Sequence, residues 1–230
     1  MILEITSKIK LKKIKNSFYK KMKKKTSYIG ISFIVLIFGI WTVKELKERF
    51  KKNDLVEIGS APKFELTNQN GKKISNKDYE GKVYVLEFFF ASCPSICPKM
   101  NKNMLQLQDA FYGDLDFGMV SITIDPENDT SAVLKDHAQK LGVKHPNWNF
   151  LTGDYTYIMN LANKGFNIFA GKNENVAGGF EHSGLFALVD KEGKIRCRKD
   201  NFGNPILYYD GLEQPGINAI KEDITLLLKE

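Results

Sequence analysis

The feature that most constrains the fold is residues 83–100, "VYVLEFFFASCPSICPKM", in which an almost continuous apolar run meets two cysteines. Such a run is typical of a strand that is buried on both faces in the middle of a sheet. The residues that follow, "NKNMLQLQDAFY", carry apolar side chains at helical spacing. The sequence therefore predicts a strand, a short loop that contains Cys93, and a helix whose first turn lies at Cys97 and Pro98.

The other apolar patterns alternate between strands and helices. Strands are predicted near 64–67, 72–75 and 115–125 and in "NWNFLTG", helices in "TSAVLKDHAQKLG", "YTYIMNLANKGFNIF" and "GINAIKEDITLLLKE", and a hairpin in "SGLFALVDKEGKIRCRK". After an N-terminal hairpin the order is β-α-β-α-β-α-β-β-α, with mixed parallel and antiparallel pairing. This order predicts a thioredoxin-like three-layer α/β sandwich, with the cysteine pair at the tip of the first central strand.

The positive charge of the chain is concentrated at its N-terminus. The net charge is +7, yet residues 1–25 contain ten lysines and one acid, Glu4, which is about +9. Subtracting +9 from +7 leaves about −2 for residues 26–230. Because the basic residues form a tail and not a patch on the domain, we expect no nucleic-acid partner.

The uncharged segment of 18 residues at 26–43, "TSYIGISFIVLIFGIWTV", follows the lysines. As a helix it would measure ~27 Å, close to the hydrocarbon thickness of a bilayer. A cleaved signal peptide is the alternative, but no A-x-A-like site follows the run. The segment therefore predicts one uncleaved transmembrane helix.

The distribution of lysines also predicts the topology. The positive-inside rule places the Lys-rich tail 1–25 in the cytoplasm and the rest of the chain across the membrane. We therefore expect a single-pass protein of a bacterial inner membrane, with its C-terminal domain in the periplasm. A linker is predicted at 44–61 and the folded domain at 62–230.

The cysteine pair is open to three interpretations: a structural disulfide, a redox pair or a metal site. Three cysteines are too few for a disulfide scaffold. A thiol at a helix N-terminus is acidified by the helix dipole, which suits redox chemistry and metal binding alike. The spacing C-x-x-x-C has one residue more than the redox motif C-x-x-C, so the two sulfurs could converge on an ion as well as on each other.

The histidines bear on this choice. His137 lies in a charged amphipathic helix and is predicted at its rim, and His145 is predicted in a loop. His182 follows a glycine-bearing loop that the topology brings beside the cysteines, and two thiolates with one imidazole suit copper. Thioredoxin-like oxidoreductases carry a cis-proline at this place, but the sequence has no proline between Pro146 and Pro205.

These segments resemble the Sco/SenC copper-binding proteins, which help to assemble the Cu-A centre of cytochrome c oxidase. The resemblance covers residues 62–230 and the single N-terminal anchor. It is carried by "FFFASCPSICPKM", "TIDPENDT" and "EHSGLFALVDKEGKI". It implies that Cys93, Cys97 and His182 are ligands of Cu(I) or Cu(II).

The resemblance also implies that Asp125 and Asp129 flank the site, in partner recognition or in ordering the metal loop. The simpler interpretation of this segment is a turn at the strand end, with Asp129 or Thr130 capping the next helix. The motif does not require Cys197, which is predicted to be a half-buried small apolar residue in a strand.

The function implied by the resemblance is that of a membrane-anchored copper metallochaperone, which is not an enzyme. Its partners would be the copper-receiving subunit of cytochrome c oxidase and a copper donor or thiol reductant. The alternative is a thiol-disulfide oxidoreductase that reduces the oxidase's copper-site cysteines, with Cys93 and Cys97 as its catalytic redox pair. A peroxidase of the same fold and a domain merely stapled by a disulfide are weaker alternatives, since closing so short a loop stabilises little.

Overall fold

The computed structural model describes residues 32–43 and 55–230. Residues 32–43 are helical, and their large apolar side chains, among them Phe33 and Trp41, are exposed. Within the described residues, no helix combines the length and the apolar character needed to cross a membrane. The predicted tail 1–25, the start of the predicted anchor and most of the predicted linker lie outside the described residues.

Strands and helices alternate through residues 55–230. The strands are β1 (Val56–Ser60), β2 (Glu65–Asn68), β3 (Lys73–Ser75), β4 (Val83–Phe89), β5 (Phe117–Thr123), β6 (Trp148–Thr152), β7 (Ala170–Lys172), β8 (Phe180–His182), β9 (Leu185–Val189), β10 (Lys194–Lys199), β11 (Pro205–Ile206) and β12 (Tyr209–Asp210). The α-helices are α1 (Cys97–Ala110), α2 (Ser131–Leu141), α3 (Tyr155–Asn160) and α4 (Gln214–Leu228), with a 3-10 turn at Asn76–Tyr79 and a π-helix at Leu161–Phe166.

The central sheet has the strand order β1-β10-β9-β4-β5-β6-β2-β3, with β11 paired to β10 and β12 paired to β9. The pairs β4–β5 and β5–β6 are parallel, and the other pairs are antiparallel. Strands β7 and β8 form a separate antiparallel hairpin. The mixed pairing predicted from the element order is confirmed.

Strand β4 lies at the centre of the sheet, and all seven of its residues are buried. Successive side chains of a strand point to opposite faces. Phe88 accordingly packs edge-on against Phe166 of the π-helix, whereas Phe89 packs against His137 of α2. Helix α4 packs against α1 and β4. Helical segments thus cover both faces of the sheet, as predicted for a three-layer α/β domain.

Two local predictions differ from the structure. Residues 56–60, expected in the linker, form β1, which pairs with β10 and places Val56 opposite Cys197. The single helix expected over 155–169 is an α-helix that continues as a π-helix at Leu161–Phe166 and ends before residue 169. The first difference arises from pairing between distant segments, and in the second the helix ends at Asn167, whose φ of +53° is left-handed and terminates the helix.

Candidate metal centre

The two cysteines and the histidine of the predicted site meet at one end of the sheet. Cys93 lies in the loop after β4, Cys97 is the first residue of α1, and His182 is the last residue of β8. Their two Sγ atoms and one imidazole nitrogen all lie within 4.8 Å of one another. Both cysteines are free thiols, and the exposed fractions of the three residues are 7%, 1% and 6%. The structure therefore brings together the three residues that the sequence singled out.

The cysteine-bearing loop is shaped by the end of β4 and the start of α1. The amide of Cys93 donates to the carbonyl of Phe90 at 3.3 Å, which turns the chain directly after the buried strand. Pro98 occupies the first turn of α1, where its missing N–H leaves no intrahelical hydrogen bond unmade. Cys97 is thereby fixed at the helix N-terminus, as predicted.

His182 is oriented by its own backbone neighbour. Its Nδ1 lies 3.1 Å from the carbonyl oxygen of Ser183, which can only accept, so Nδ1 carries the proton. In the neutral ring Nε2 then carries a lone pair, which accepts the hydrogen of the Cys97 thiol with 3.0 Å between Nε2 and Sγ. Burial lowers the pKa of His182, although the Ser183 bond opposes this, so the ring is kept neutral. A neutral imidazole with a free Nε2 is the form that binds metals.

The two thiols differ in acidity. For Cys93, burial opposes ionisation, but hydrogen bonds from the Ser95 hydroxyl and from the amides of Cys97 and Ser95 outweigh it and lower the pKa. For Cys97, burial raises the pKa and the neighbouring Cys93 raises it further, so the acidification expected of a thiol at a helix N-terminus is wrong for this residue. In the metal-free protein, Cys93 is therefore the more readily ionised thiol of the pair.

An aromatic wall closes one side of the centre. The ring of Phe90 lies edge-on to His182 with 6.0 Å between centroids, and 5.6 Å from the ring of Phe180. Gly178, in the loop between β7 and β8, lies so close that a Cβ there would be 2.9 Å from the Phe90 ring and 3.1 Å from Pro94. Its φ of +92° also favours glycine. The β7–β8 loop therefore packs directly over the loop that carries the cysteines.

Asp129 is buried and connected to the cysteine loop. Its Oδ2 accepts the amide hydrogen of Ala91 at 2.9 Å and the hydroxyl of Thr123 at 2.5 Å. Burial raises the pKa of Asp129, against these two hydrogen bonds. Of the roles considered for this residue, these contacts correspond to ordering the metal loop. The cap of α2 is Thr130, whose hydroxyl accepts from the amide of Val133.

Asp125 is also buried, but its contacts are local. Its carboxylate accepts from the side-chain amide of Asn128, and its own amide donates to the Thr123 hydroxyl. At 4% exposed it offers little surface to a partner. Its contacts fit the simpler interpretation of a turn at the end of β5.

The remaining residues singled out from the sequence lie outside the three-residue group. His137 is half-buried between the rings of Phe89 and Phe150, and His145 is buried in the loop before β6. Cys197, predicted to be half-buried, is fully buried in β10, where it stands opposite Val56 of β1. None of the three belongs to the metal-binding group found within the described residues.

Glu87 was missed by the sequence reasoning. It is fully buried in β4, where one carboxyl oxygen accepts from the Ser121 hydroxyl at 2.7 Å and the other has no partner among the described residues. Burial raises its pKa to about 8, although the Ser121 bond opposes the shift. A charged residue within the apolar run "VYVLEFFF" was the available signal.

The donor set fits copper. Thiolate sulfur is a soft ligand that selects Cu(I), and imidazole also suits copper. The site is nearly closed to solvent, and the unprotonated Nε2 faces the sulfur of Cys97. Two thiolates with one imidazole also provide a set that can retain Cu(II).

Comparisons with known proteins identify the family of this chain. A profile of SCO1/SenC proteins matches residues 56–214. The SCO1 protein homolog of Bacillus subtilis (strain 168) is 32% identical over 163 residues, which are 70% of this chain and 79% of that protein.

Solved structures of Sco-family proteins also match this chain. BsSco, a member of the Sco family of cytochrome c oxidase assembly proteins in which a disulfide switch was identified, matches with a TM-score of 0.61 and 29% identity over 76% of this chain and 96% of that one. Bradyrhizobium japonicum ScoI, with copper bound, matches with a TM-score of 0.57 and 25% identity over 74% and 99% of the two chains. The predicted thioredoxin-like α/β fold is thus confirmed. The profile match over most of the chain, together with these relatives, shows that the chain belongs to the SCO1/SenC family.

Proposed function

We propose that this chain binds copper through Cys93, Cys97 and His182 and delivers it to the copper-receiving subunit of a cytochrome c oxidase. The observation that carries the proposal is the convergence of three ligand atoms within 4.8 Å, in a family that includes a copper-bound ScoI structure. BsSco is described as one of the cytochrome c oxidase assembly proteins, which supports an oxidase as the recipient.

The protonation states of the three side chains determine how they bind copper. Cys93, whose pKa is lowered, offers the first thiolate, and Cys97 must give up its proton to solvent as the ion binds. His182 is already neutral and unprotonated at Nε2, so it needs no deprotonation, and Nε2 becomes available when Cys97 loses the proton that it shares with it. The burial of all three side chains limits the access of water to the bound ion.

The low coordination number of Cu(I) allows the ion to be passed to a partner. Cu(I) accepts two or three soft ligands, so thiolates of a partner can replace those of Cys93 and Cys97 one at a time. The exchange requires no net oxidation or reduction, because each outgoing thiolate is replaced by an incoming one. Both cysteines lie at the end of the sheet and not in its middle.

We further propose that residues 26–43 anchor the domain to a membrane, with residues 1–25 in the cytoplasm and the copper domain in the periplasm. The uncharged run, the lysines before it and the exposed apolar side chains of helix 32–43 support the anchor. Protease added outside spheroplasts should digest residues 62–230 and spare residues 1–25. Digestion only after lysis would contradict this topology.

The experiment that tests copper binding uses the full chain, reduced and in mild detergent, in a Cu(I) competition titration. We expect one tightly bound copper per chain, lost in Cys93→Ala and in Cys97→Ala. Cys197→Ala is the matched control, because that thiol is buried in β10 outside the site. In cells that depend on this chain, the first two variants should also lose oxidase activity. Wild-type affinity in either variant would sink the proposal.

A thiol-disulfide oxidoreductase is the second candidate, favoured by the unequal acidity of the two thiols and by the disulfide switch of BsSco. Here the thiolate of Cys93 attacks a partner disulfide, and Cys97 then resolves the mixed disulfide. The two thiols lose two electrons and two protons, which convert the partner disulfide to two thiols. The variant His182→Ala separates the candidates, because intact reductase activity and oxidase maturation without Cu(II) binding would favour this one.

A further inference from the structure

The segment before β7 contains a π-helix, Leu161–Phe166, that follows directly from α3. Such wide turns are rare and often lie at functional sites. Its third residue, Asn163, is half-buried and points a carboxamide at the β7–β8 hairpin. The hairpin in turn ends in His182.

The Asn163 carboxamide binds the backbone of Ala170 in both directions. Its Nδ2 donates to the Ala170 carbonyl at 2.7 Å, and its Oδ1 accepts the Ala170 amide hydrogen at 3.1 Å. Nδ2 also donates to the carbonyl of Met159 at 3.0 Å, which ties the contact back to α3. The side chain of Asn163 thus makes the two hydrogen bonds with the Ala170 backbone that a neighbouring strand would make.

The Asn163 carboxamide provides hydrogen-bond partners for Ala170 that the β7–β8 hairpin cannot provide. Ala170 stands opposite His182 in the β7–β8 register. The Ser183 amide donates to the carbonyl of Phe169, so in an antiparallel pair the polar groups of Ala170 point to the other edge. Ala170 is 3% exposed, and its N–H and C=O would be left unsatisfied without Asn163.

We propose that Asn163 is a positioning residue for the metal centre. Its carboxamide fixes Ala170, and the register of β7 with β8 then fixes the place of His182 Nε2 beside Cys97. The inference rests on the proposed copper function, which supplies the site to be positioned.

The thiol pair is held by different contacts. Its loop is tied to the body of the domain by the Asp129–Ala91 hydrogen bond. Loss of the Asn163 contact should therefore displace the imidazole and leave the two sulfurs in place. Cu(I), which two thiolates can hold, should change little, whereas Cu(II), which gains from the imidazole, should bind about 10-fold or more weakly.

The test compares four full-length proteins: wild type, Asn163→Ala, His182→Ala and Asn173→Ala. Asn173 is the matched control, since its amide donates to Glu181 within the same hairpin but does not tie the hairpin to the π-helix. Cu(I) affinity, Cu(II) affinity and the thiolate-to-Cu(II) absorption band are measured for each. We expect Asn163→Ala to approach His182→Ala in Cu(II) affinity and spectrum, with near wild-type Cu(I) affinity, and Asn173→Ala to match wild type.

Folding is monitored by circular dichroism, and a second variant, Asn163→Asp, is included because it keeps the acceptor for the Ala170 amide and loses only the donor to the carbonyls of Ala170 and Met159. A folded Asn163→Ala protein with wild-type Cu(II) affinity and spectrum overturns the proposal. Loss of folding in both variants also overturns it, because Asn163 would then support the fold and not the site.

A metal-free measurement separates this inference from the proposed function. If wild type binds no copper, the function fails, while the NMR signal of the His182 ring in the metal-free chain still reports its position. Asn163→Ala should shift and broaden that signal, and Asn173→Ala should leave it unchanged. An unchanged His182 signal in Asn163→Ala would disprove the positioning role.

Discussion

One carboxylate oxygen of Asp129 accepts the amide hydrogen of Ala91, two residues before Cys93, at a distance of 2.9 Å. The same oxygen accepts the hydroxyl of Thr123 at the end of β5. A single buried atom therefore joins the cysteine loop to the neighbouring strand. The position of the two sulfurs depends on a residue that lies 32 or more positions away in the sequence.

The variant Asp129→Asn tests this connection. Because a single oxygen accepts both hydrogen bonds, asparagine can replace it only by a neutral amide oxygen, and the weaker bonds should cost about 1–3 kcal/mol in the free energy of unfolding. We expect that loss in urea denaturation, together with weaker Cu(I) binding in competition titrations. Asp136→Asn, an exposed carboxylate paired with Lys140 on α2, is the control. If the two variants behave alike, Asp129 does not order the loop.

Two adjacent glycines offer a matched test of the packing above the site. Gly178 and Gly179 have φ values of +92° and +75°, so alanine at either position strains the backbone by about 1–2 kcal/mol. A Cβ at Gly179 meets nothing within 4 Å, whereas one at Gly178 meets Phe90 and Pro94. Thermal unfolding should show that both variants are destabilised. The Cu(II) absorption spectrum should change only in Gly178→Ala, and equal spectra would contradict the proposed packing effect.

Glu87 should make stability depend on pH. Because its pKa in the folded protein is raised to about 8, the folded state keeps a proton that the unfolded state releases at lower pH. Stability from this group is therefore highest below the usual carboxyl pKa and falls as the pH rises toward 8. At about 1.4 kcal/mol per pKa unit, the loss between pH 5 and pH 8 is on the order of a few kcal/mol.

Urea denaturation of wild type and Glu87→Gln at several pH values measures this effect. Glutamine can still accept the Ser121 hydrogen bond and carries no charge, so the stability difference in favour of the variant should grow from pH 5 to pH 8. The comparison cancels the contributions of the histidines, which both proteins share. A difference that is constant with pH would show that Glu87 is not neutral in the folded state.

The three thiols should react in a fixed order. Burial raises the pKa of Cys97 and of Cys197, whereas Ser95 and two amides lower that of Cys93. Iodoacetamide at neutral pH should therefore modify Cys93 first in the metal-free protein, because the thiolate is the nucleophile. Peptide mapping by mass spectrometry reports the order, and the urea-unfolded chain, in which all three should react alike, is the control. Earlier modification of Cys97 would reverse the assigned acidities.

The sequence predicted the parts of the site whose signals are local. The apolar run of β4, the cysteine spacing and Pro98 lie within 16 residues, and together they predicted the strand, the loop and the helix start. His182 was predicted from topology, because a loop histidine has no pattern of its own. The three-layer fold followed from the order of elements, which needs no contact information.

The features that the sequence did not predict depend on pairing between distant segments. The strands "AGK" and "FEH" of β7 and β8 contain no alternating apolar pattern, so only their mutual hydrogen bonds reveal them. Asn163 could not be found in advance because its partner Ala170 becomes visible only once β7 is known. The charges before residue 56 masked β1, whose pairing with β10 is also long-range.

The separation of 85 positions between Cys97 and His182 has a consequence for the order in which the site is assembled. A chain synthesised from its N-terminus carries both thiols before the imidazole exists. The third ligand arrives only after β5, β6, α3 and the hairpin have been made, and a long loop must close to bring it in. An incompletely folded chain can therefore present two sulfurs but not the full set. The coordination number at this site thus reports whether the protein has finished folding.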